Sequence, residues 1–314
     1  MVLFTTDTES FEALTPDQLS GYLKRINLEL DFHQCQPTVN LLALVMSHHA
    51  NSIPFETGKI LFTKTPSPMT VPEIFTEVVD RKRGGYCYNN NILIMSALIS
   101  LGFTATSGIA RVCAWNQSKS SFDLGPAQHM LIYIHFPNGS KYLVDMGNNR
   151  FSTPLEIKHN AQISCPAAET MQLRQTSAEK WAVFFKRAPW TENPAGCDSD
   201  GFVPLYQFSL ETWRPADYEA LNFYVSHFEK HTLRTVFIAS CTTKTGGRLA
   251  MTDMVFRRRE ADGNRHLECV IEVESVGQFV GLMEREFGVE LTEDEIGGAR
   301  IKYFGGDYKC QVPI

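Results

Sequence analysis

The sequence predicts an α+β protein, because three parts of different pattern follow one another along its 314 residues. Up to about residue 103, apolar residues recur at helical spacing. From Thr104 the chain becomes rich in β-formers and turn signals, as in a barrel-like sheet. After about residue 210, helical and strand patterns alternate. This succession is typical of α+β proteins, and we expect the parts to span 1–103, 104–210 and 211–314.

The first part is expected to contain short helices. Thr15 is a plausible N-cap for a helix that begins at Pro16 and carries apolar residues at helical spacing as far as Ile26. The same spacing predicts further helices over 41–49, 71–79 and 92–101.

The second part is expected to be a β region, with strands over 109–115, 128–136 and 141–145. Its turn-rich stretch 186–201 is predicted to be an inserted loop. In the third part, the patterns predict helices over 218–228 and 276–287, and strands over 235–241, 249–256 and 266–273.

Composition argues against several classes of protein. The net charge is −6 and no long basic tract occurs, so we expect no nucleic-acid partner. No apolar stretch has the length needed to cross a bilayer, so we expect no membrane partner. The first ten residues lack the apolar core of a secretory signal, which favours a cytoplasmic protein.

The eight cysteines are scattered and include no C-x-x-C pair. This pattern argues against zinc and thioredoxin-like sites and predicts free thiols. The adjacent His48 and His49 have no cysteine or carboxylate at ligand spacing. We therefore expect no metal, and one of these histidines to be packed at a domain junction.

One cysteine has a context that would activate it. Cys87 follows the turn Gly84-Gly85 and precedes the apolar run 92–101. N–H groups at a helix start favour negative charge and would hold this cysteine toward its nucleophilic thiolate form. A neighbouring Arg83 would act in the same direction. The alternative is a small buried side chain that happens to follow a turn.

A histidine and an aspartate lie on a predicted hairpin downstream. His129 belongs to the strand 128–136 and Asp145 to the strand 141–145, and Pro137-Asn138-Gly139-Ser140 is a turn signal between them. A cysteine nucleophile, a base and a carboxylate that orients the base form a catalytic triad.

The length of the hairpin loop decides whether this triad can form. With a two-residue loop, Asp145 would point to the face opposite His129, because side chains alternate along a strand. With a three-residue loop that ends at Gly139, Asp145 faces Leu131 and lies on the same face as His129. The triad therefore predicts the longer loop.

With these motifs in this order, the chain resembles the arylamine N-acetyltransferases. The residues that carry the resemblance are Arg83-Gly84-Gly85-Tyr86-Cys87, His129-Met130-Leu131 and 142–145, supported by 22–26, His48, His49, 53–56 and 205–210. The resemblance covers roughly residues 15–250. It implies a three-domain layout with a cysteine-protease-like Cys-His-Asp core and a C-terminal α/β lid.

Two positions beside the expected site depart from the family pattern. The family commonly has a glutamate two residues after the cysteine, where this chain has Asn89. It also tends to have Gly-Phe-Gly after the aspartate, where this chain has Met146-Gly147-Asn148-Asn149. These departures put the substrate preference in doubt more than the chemistry.

The resemblance implies transfer of an acyl group from acetyl-CoA or another acyl-CoA to an arylamine or arylhydrazine, through an acyl-Cys87 intermediate. Acetyl is the family default, and propionyl or malonyl would need extra room or a cation beside Cys87, which the sequence does not reveal. Thr243, Gly246 and Gly247 are candidates for contacts to CoA phosphates, although the same stretch also reads as a hairpin turn. Phe122 and Gly125 are candidates for the amine pocket.

Two other functions are compatible with the same residues. A cysteine hydrolase of protease or transglutaminase type uses the same triad in the same chain order, although a papain-like enzyme places its histidine much farther downstream. A non-catalytic binding protein could also be built on this scaffold, since a fold does not fix a function.

Overall fold

The computed structural model describes residues 10–148, 150–262 and 265–305. The expectations that concern Asn149, Cys310 and the first nine residues lie outside these ranges. The succession of a helical part, a β part and a mixed part is the predicted one, although the structure has further strands and helices that were not predicted. The α+β fold class is confirmed by the solved structures compared below.

The N-terminal part is mainly helical, with helices α1 (Pro16–Arg25), α2 (Val39–Ser52), α3 (Val71–Phe75) and α4 (Cys87–Ser100). Thr15 caps α1 as predicted, in a capping box with Gln18. Two π-helical turns, Lys59–Thr63 and Thr76–Asp80, complete this part, and the second directly continues α3.

Helix α4 is the central helix of the larger hydrophobic core. All of its residues from Cys87 to Leu98 are buried, the polar Asn89, Asn90 and Asn91 included. Its N-terminus therefore holds Cys87 inside the protein, within reach of the sheet packed against it.

Within the described residues, eight antiparallel strands form the sheet that carries the histidine and the aspartate. They are β2 (Thr104–Asn116), β3 (Ser121–His135), β4 (Lys141–Val144), β5 (Leu155–Glu156), β6 (Gln162–Cys165), β7 (Glu169–Gln175), β8 (Trp181–Lys186) and β9 (Phe202–Phe208). Their order is β5-β4-β3-β2-β9-β8-β7-β6. Because the two edge strands, β5 and β6, approach each other in space, the sheet is almost closed into a barrel. The stretch 186–201 connects β8 to β9 within this sheet.

A second sheet has the order β1-β10-β11-β12-β13 in the described part of the chain. Its strands are β1 (Phe55–Glu56), β10 (Ile238–Thr242), β11 (Arg248–Thr252), β12 (Val255–Asp262) and β13 (Arg265–Glu272). Strand β1 comes from the N-terminal part, so this sheet joins the two ends of the chain.

Helices α5 (Pro215–His227), α6 (Thr232–Thr235), α7 (Val276–Phe287) and α8 (Glu293–Ala299) complete the C-terminal part, and a π-helical turn, Arg300–Phe304, continues α8. Helix α7 packs on the second sheet in a separate hydrophobic cluster. Among the described residues, no helix combines the length and apolar character that a membrane crossing requires.

The prediction of a single strand over 249–256 is wrong, because this range belongs to two strands, β11 and β12. The chain turns back at Asp253 and Met254, so that Thr252 pairs with Val255 across a tight hairpin. Asp253 has a φ of 48°, a left-handed conformation that Asp tolerates better than most residues. Its carboxylate accepts a hydrogen bond from the N–H of Phe237 at 3.0 Å, which stabilises the turn. The turn contains no glycine that would have predicted it from the sequence.

Candidate active site

The nucleophile candidate is placed by two close backbone approaches. A β-carbon on Gly84 would lie 2.3 Å from the carbonyl oxygen of Pro54, and one on Gly85 would lie 2.6 Å from the β-carbon of Asn89. Only glycine fits at both positions. The backbone can therefore pass close to Pro54 and begin helix α4 directly after the turn. Cys87 is the first residue of this helix and is 7 % exposed.

The predicted three-residue loop between the histidine and aspartate strands is confirmed. Phe136 donates its N–H to the Ser140 carbonyl at 3.0 Å, and Gly139 has the positive φ of 85° expected for the residue that closes the loop. The register pairs Ile132 with Val144 and places Asp145 level with Leu131. The side chains of His129 and Asp145 consequently share a face, and His129 Nε2 lies 2.8 Å from Asp145 Oδ2.

Asp145 is fully buried and its second carboxylate oxygen also has donors. Oδ1 accepts the N–H of Gly147 at 3.0 Å and the Nδ2 of Asn91 at 3.2 Å. Asn91 also accepts the Met146 N–H at 2.7 Å and donates to the Met130 carbonyl at 2.8 Å. It therefore fixes both strands of the hairpin to helix α4.

Asn91 is not among the site residues that the sequence predicts, although the sequence contains a signal for it. Residues four apart share one face of a helix, so Asn91 lies on the same side of α4 as Cys87. A polar residue at that spacing inside an apolar helix needs hydrogen-bond partners, and the aspartate beside the cysteine supplies one.

The electrostatics favour a charged His129. Burial alone would lower the pKa of this imidazole, but the charge and hydrogen bond of Asp145, together with the Cys87 sulfur, raise it to about 10. The side chain of Cys87 is close enough to His129 to contribute to this rise. The structure thus brings the three predicted residues together at the start of α4.

Arg83 does not act on Cys87 as expected. Its guanidinium donates to both oxygens of Glu295, at 2.8 and 2.7 Å, and to Glu56 Oε1 at 2.7 Å. Two carboxylates neutralise the one cation, which leaves no excess positive charge for the cysteine. Arg83 instead ties the turn before α4 to strand β1 and helix α8.

The two departures from the family pattern have different surroundings. Asn89 donates to the carbonyl of Pro68 at 2.8 Å and, with Tyr86, lines a cavity of about 20 Å³, which has room for one water molecule. It does not contact His129 or Asp145. Gly147, by contrast, lies directly against Cys87.

The structure does not bring the two candidates for the amine pocket to the cysteine. Phe122 and Gly125 precede the predicted strand 128–136. In the structure this strand begins earlier, at Ser121, so both residues lie within β3. Phe122 packs edge-on against Trp115 at 5.1 Å between ring centroids. At about 3.3 Å per residue, it stands roughly 20 Å along the strand from His129.

The candidate CoA loop is a hairpin between β10 and β11, which was the alternative interpretation of this stretch. The N–H groups of Thr243, Gly246 and Gly247 are bonded within the loop, and the Thr243 hydroxyl contacts the Glu260 carboxylate at 3.2 Å. A loop whose donors are occupied and which faces a carboxylate is poorly suited to hold phosphate.

His48 and His49 serve helix packing. The Nδ1 of His49 lies 2.9 Å from the Tyr22 hydroxyl between α1 and α2, and burial lowers the pKa of this histidine to about 3. His48 Nδ1 lies 3.1 Å from the carbonyl oxygen of Ile26. Nowhere in the described ranges do three His, Cys, Asp or Glu side chains cluster as metal ligands would.

Comparison with known proteins gives a family match over most of the chain. A family model described as N-acetyltransferase matches residues 38–296. The arylamine N-acetyltransferase of Mycolicibacterium smegmatis is 26 % identical over 279 residues, which cover 88 % of this chain and 93 % of that protein. An N-malonyltransferase of Fusarium pseudograminearum, FDB2, is 24 % identical over 319 residues, covering 90 % of this chain and 91 % of the relative.

Solved structures have the same fold. The arylamine N-acetyltransferase of Salmonella typhimurium superposes with a TM-score of 0.77 at 21 % identity, over 92 % of this chain and all of that one. The Mycobacterium marinum enzyme in complex with CoA superposes with a TM-score of 0.73 at 23 % identity, over 90 % of this chain and 97 % of that one.

Proposed function

We propose, since the chain belongs to the arylamine N-acetyltransferase family, that it transfers a short acyl group from acyl-CoA to an arylamine or arylhydrazine through an acyl-cysteine intermediate. The observation that carries this proposal is the placement of His129, which is bonded to buried Asp145 at 2.8 Å and lies near Cys87 at the start of α4. A relative named for malonyl transfer and others named for acetyl transfer support an acyltransferase whose acyl group varies.

In the first half-reaction, the charged imidazole of His129 maintains Cys87 as a thiolate, which attacks the thioester carbonyl of the donor. A bond forms between the cysteine sulfur and the carbonyl carbon, and the bond from that carbon to the CoA sulfur breaks. CoA leaves as a thiolate, which takes the proton of the His129 imidazolium and leaves the imidazole neutral for the second half-reaction. Asp145 fixes the orientation of the ring and stabilises its charged form.

In the second half-reaction, the amine attacks the acyl-Cys87 carbonyl and His129 accepts its proton. Anilines suit this step, because they are neutral at pH 7 and need no prior deprotonation. The nitrogen–carbon bond replaces the sulfur–carbon bond, and the cysteine is regenerated. Such an enzyme follows ping-pong kinetics.

The start of helix α4 is the best source of oxyanion donors. The first N–H groups of any helix have no partner within the helix, and the side chain of the N-cap residue Tyr86 does not cap them. The tetrahedral intermediate on Cys87 would form at this end of the helix, because Cys87 is its first residue. Donors fixed in this way stabilise the developing negative charge.

The test is intact-mass analysis after mixing the protein with acetyl-, propionyl- or malonyl-CoA in separate reactions without amine. We expect a mass increase of one acyl group that is absent in Cys87→Ala and is discharged by an arylamine. Folded protein that acquires no acyl group from any donor, while Cys87 still alkylates, would contradict the proposal. Peptide cleavage without CoA in such a sample would instead favour a cysteine hydrolase.

A further inference from the structure

A second buried charge cluster lies near the catalytic residues and is not used by the proposed reaction. Arg150 follows the aspartate strand, Glu169 begins β7 and Arg248 begins β11. Their side chains are 25, 3 and 13 % exposed. The cluster lies where the barrel meets the second sheet, because Ala167 donates its N–H to the carbonyl of Gly246 at 2.7 Å.

The cluster carries more positive than negative charge. Both guanidinium groups approach the same oxygen, Glu169 Oε2, with Arg150 Nε at 3.3 Å and Arg248 Nη1 at 3.5 Å. The neighbouring Cys165 adds no negative charge at neutral pH, because burial and Glu169 raise the pKa of its thiol to about 12. Arg259, across from Arg248 on β12, has its own partner in Glu268 at 2.8 Å.

The two arginines are also poorly satisfied. The Nε atoms of Arg150 and Arg248 are buried and lack a hydrogen-bond partner among the described residues. Burial, together with the charge of Arg150, lowers the pKa of Arg248 to about 9. The Arg83 ion pairs, at 2.7 to 2.8 Å, are considerably tighter, although the Nε of Arg83 also lacks a partner. Since a single carboxylate faces the two buried guanidinium groups, such a site favours an additional anion.

The site is close to the reacting cysteine. Arg150 comes three residues after Gly147, whose backbone touches Cys87, and three residues span at most about 11 Å. Tyr206 lies between the two regions: its ring centroid is 5.3 Å from that of His129, and its phenol is near both Asp145 and the Cys165 thiol. The cluster thus lies in the same part of the protein as the acyl group that Cys87 would carry.

Resting on the proposed transferase activity, we propose that Arg150 and Arg248 form a binding subsite for the free carboxylate of a dicarboxylic acyl group, such as malonyl. Guanidinium groups match the planar geometry of a carboxylate. A small carboxylate that stays attached to the acyl-cysteine fits a buried site near the sulfur. The phosphates of CoA leave with the CoA and fit such a site less well.

The bonds that form and break are those of the first half-reaction, and the distal carboxylate keeps its charge throughout. Its role is to position the donor and to favour one acyl group over another. We expect the wild-type protein to load malonyl from malonyl-CoA at least about tenfold faster than acetyl from acetyl-CoA, the effect of one charge-assisted hydrogen bond.

The experiment measures loading of Cys87 by intact mass for four donors: acetyl- and malonyl-CoA, and the corresponding pantetheine thioesters, which lack the nucleotide. Arg150→Gln should reduce the ratio of malonyl to acetyl loading about 10- to 100-fold with both carriers. Arg174→Gln is the matched control, because Arg174 is 23 % exposed, stacks on a phenylalanine at 4.2 Å and pairs with one carboxylate, as Arg150 does. It should leave the ratio unchanged.

Three results would overturn the subsite: equal or faster acetyl loading by the wild type, an unchanged ratio in Arg150→Gln, or a loss that affects both acyl groups on CoA but neither on pantetheine. The last would mean that the arginines bind CoA phosphate. Absence of loading from every donor would overturn the proposed function itself. Because the wild-type ratio alone can contradict the subsite, the test does not depend on the variant folding.

Discussion

Gly147 lies so close to Cys87 that a β-carbon at position 147 would stand 2.5 Å from both the α- and the β-carbon of the cysteine. The φ angle of Gly147 is not in the left-handed region, so the requirement for glycine is steric. The same residue donates its N–H to Asp145 Oδ1 at 3.0 Å. The segment after the aspartate strand is therefore packed directly against the nucleophile.

Gly147→Ala should move the aspartate segment away from Cys87. We expect a loss of about 1–3 kcal/mol of unfolding free energy from overpacking, together with slower acyl loading of Cys87, measured by denaturant unfolding and intact mass. Gly277→Ala is the control, because a β-carbon there meets nothing within 4 Å. If Gly147→Ala behaved like Gly277→Ala, the close approach would have no role.

The raised pKa of His129 depends mainly on Asp145. In Asp145→Asn the carboxylate charge is lost while burial remains, so the pKa of His129 should fall well below the wild-type value of about 10. Nitrogen NMR of the imidazole ring should find a charged ring at pH 8 in the wild type and a neutral ring in the variant. Acyl loading at pH 7 should fall at least about 100-fold.

The same histidine should affect stability on the alkaline side. Its folded pKa lies above the ordinary value of 6.5, so its contribution is fully present below pH 6.5 and is lost as the pH rises toward about 10. Asp145→Asn should lack this alkaline decline in unfolding free energy. A variant imidazole that still titrates near pH 10 would assign the shift to Cys87.

The sequence predicts those parts of the site that depend on residues close together in the chain, and not those that depend on residues far apart in it. The positions of Cys87, His129 and Asp145 follow from local patterns, a glycine turn before a helix and the register of one hairpin, and the structure has that register. The partner of Arg83, by contrast, lies 212 residues away. Arg150, Glu169 and Arg248 come from three separate elements. No local pattern indicates such contacts, because they arise only when the sheets pack together.

The Arg83 cluster should make the protein sensitive to acid. Although burial opposes it, hydrogen bonds and charge from Arg83 hold the pKa of Glu295 below its ordinary value of 4.5. A depressed carboxylate pKa stabilises the fold above the unfolded-state pKa, and this contribution disappears as the pH falls through the folded-state value. The unfolding free energy should therefore decrease below about pH 4.5.

Glu295→Gln isolates the charge, because glutamine at this position can keep the capping-box bond to the Thr292 N–H, 2.8 Å in the wild type. We expect a loss of about 3 kcal/mol at pH 7 and a smaller difference from the wild type at acid pH. Thermal unfolding as a function of pH measures both. A difference that is independent of pH would contradict an ionic role.

Asn91 should act as a positioning residue for the triad. Asn91→Ala removes one donor to Asp145 Oδ1 and leaves the buried Met146 N–H without its acceptor, at a cost of about 1–3 kcal/mol in stability. We expect it also to lower the pH at which His129 loses its proton, since Asp145 becomes less firmly held against the imidazole.

Asn89→Ala is the matched control: Asn89 is equally buried on the same helix, but donates to Pro68. Both variants should lose stability, and only Asn91→Ala should change the titration of His129 and the pH profile of acyl loading. If the two variants gave the same profile, Asn91 would be a structural residue of helix α4 and not a part of the catalytic arrangement.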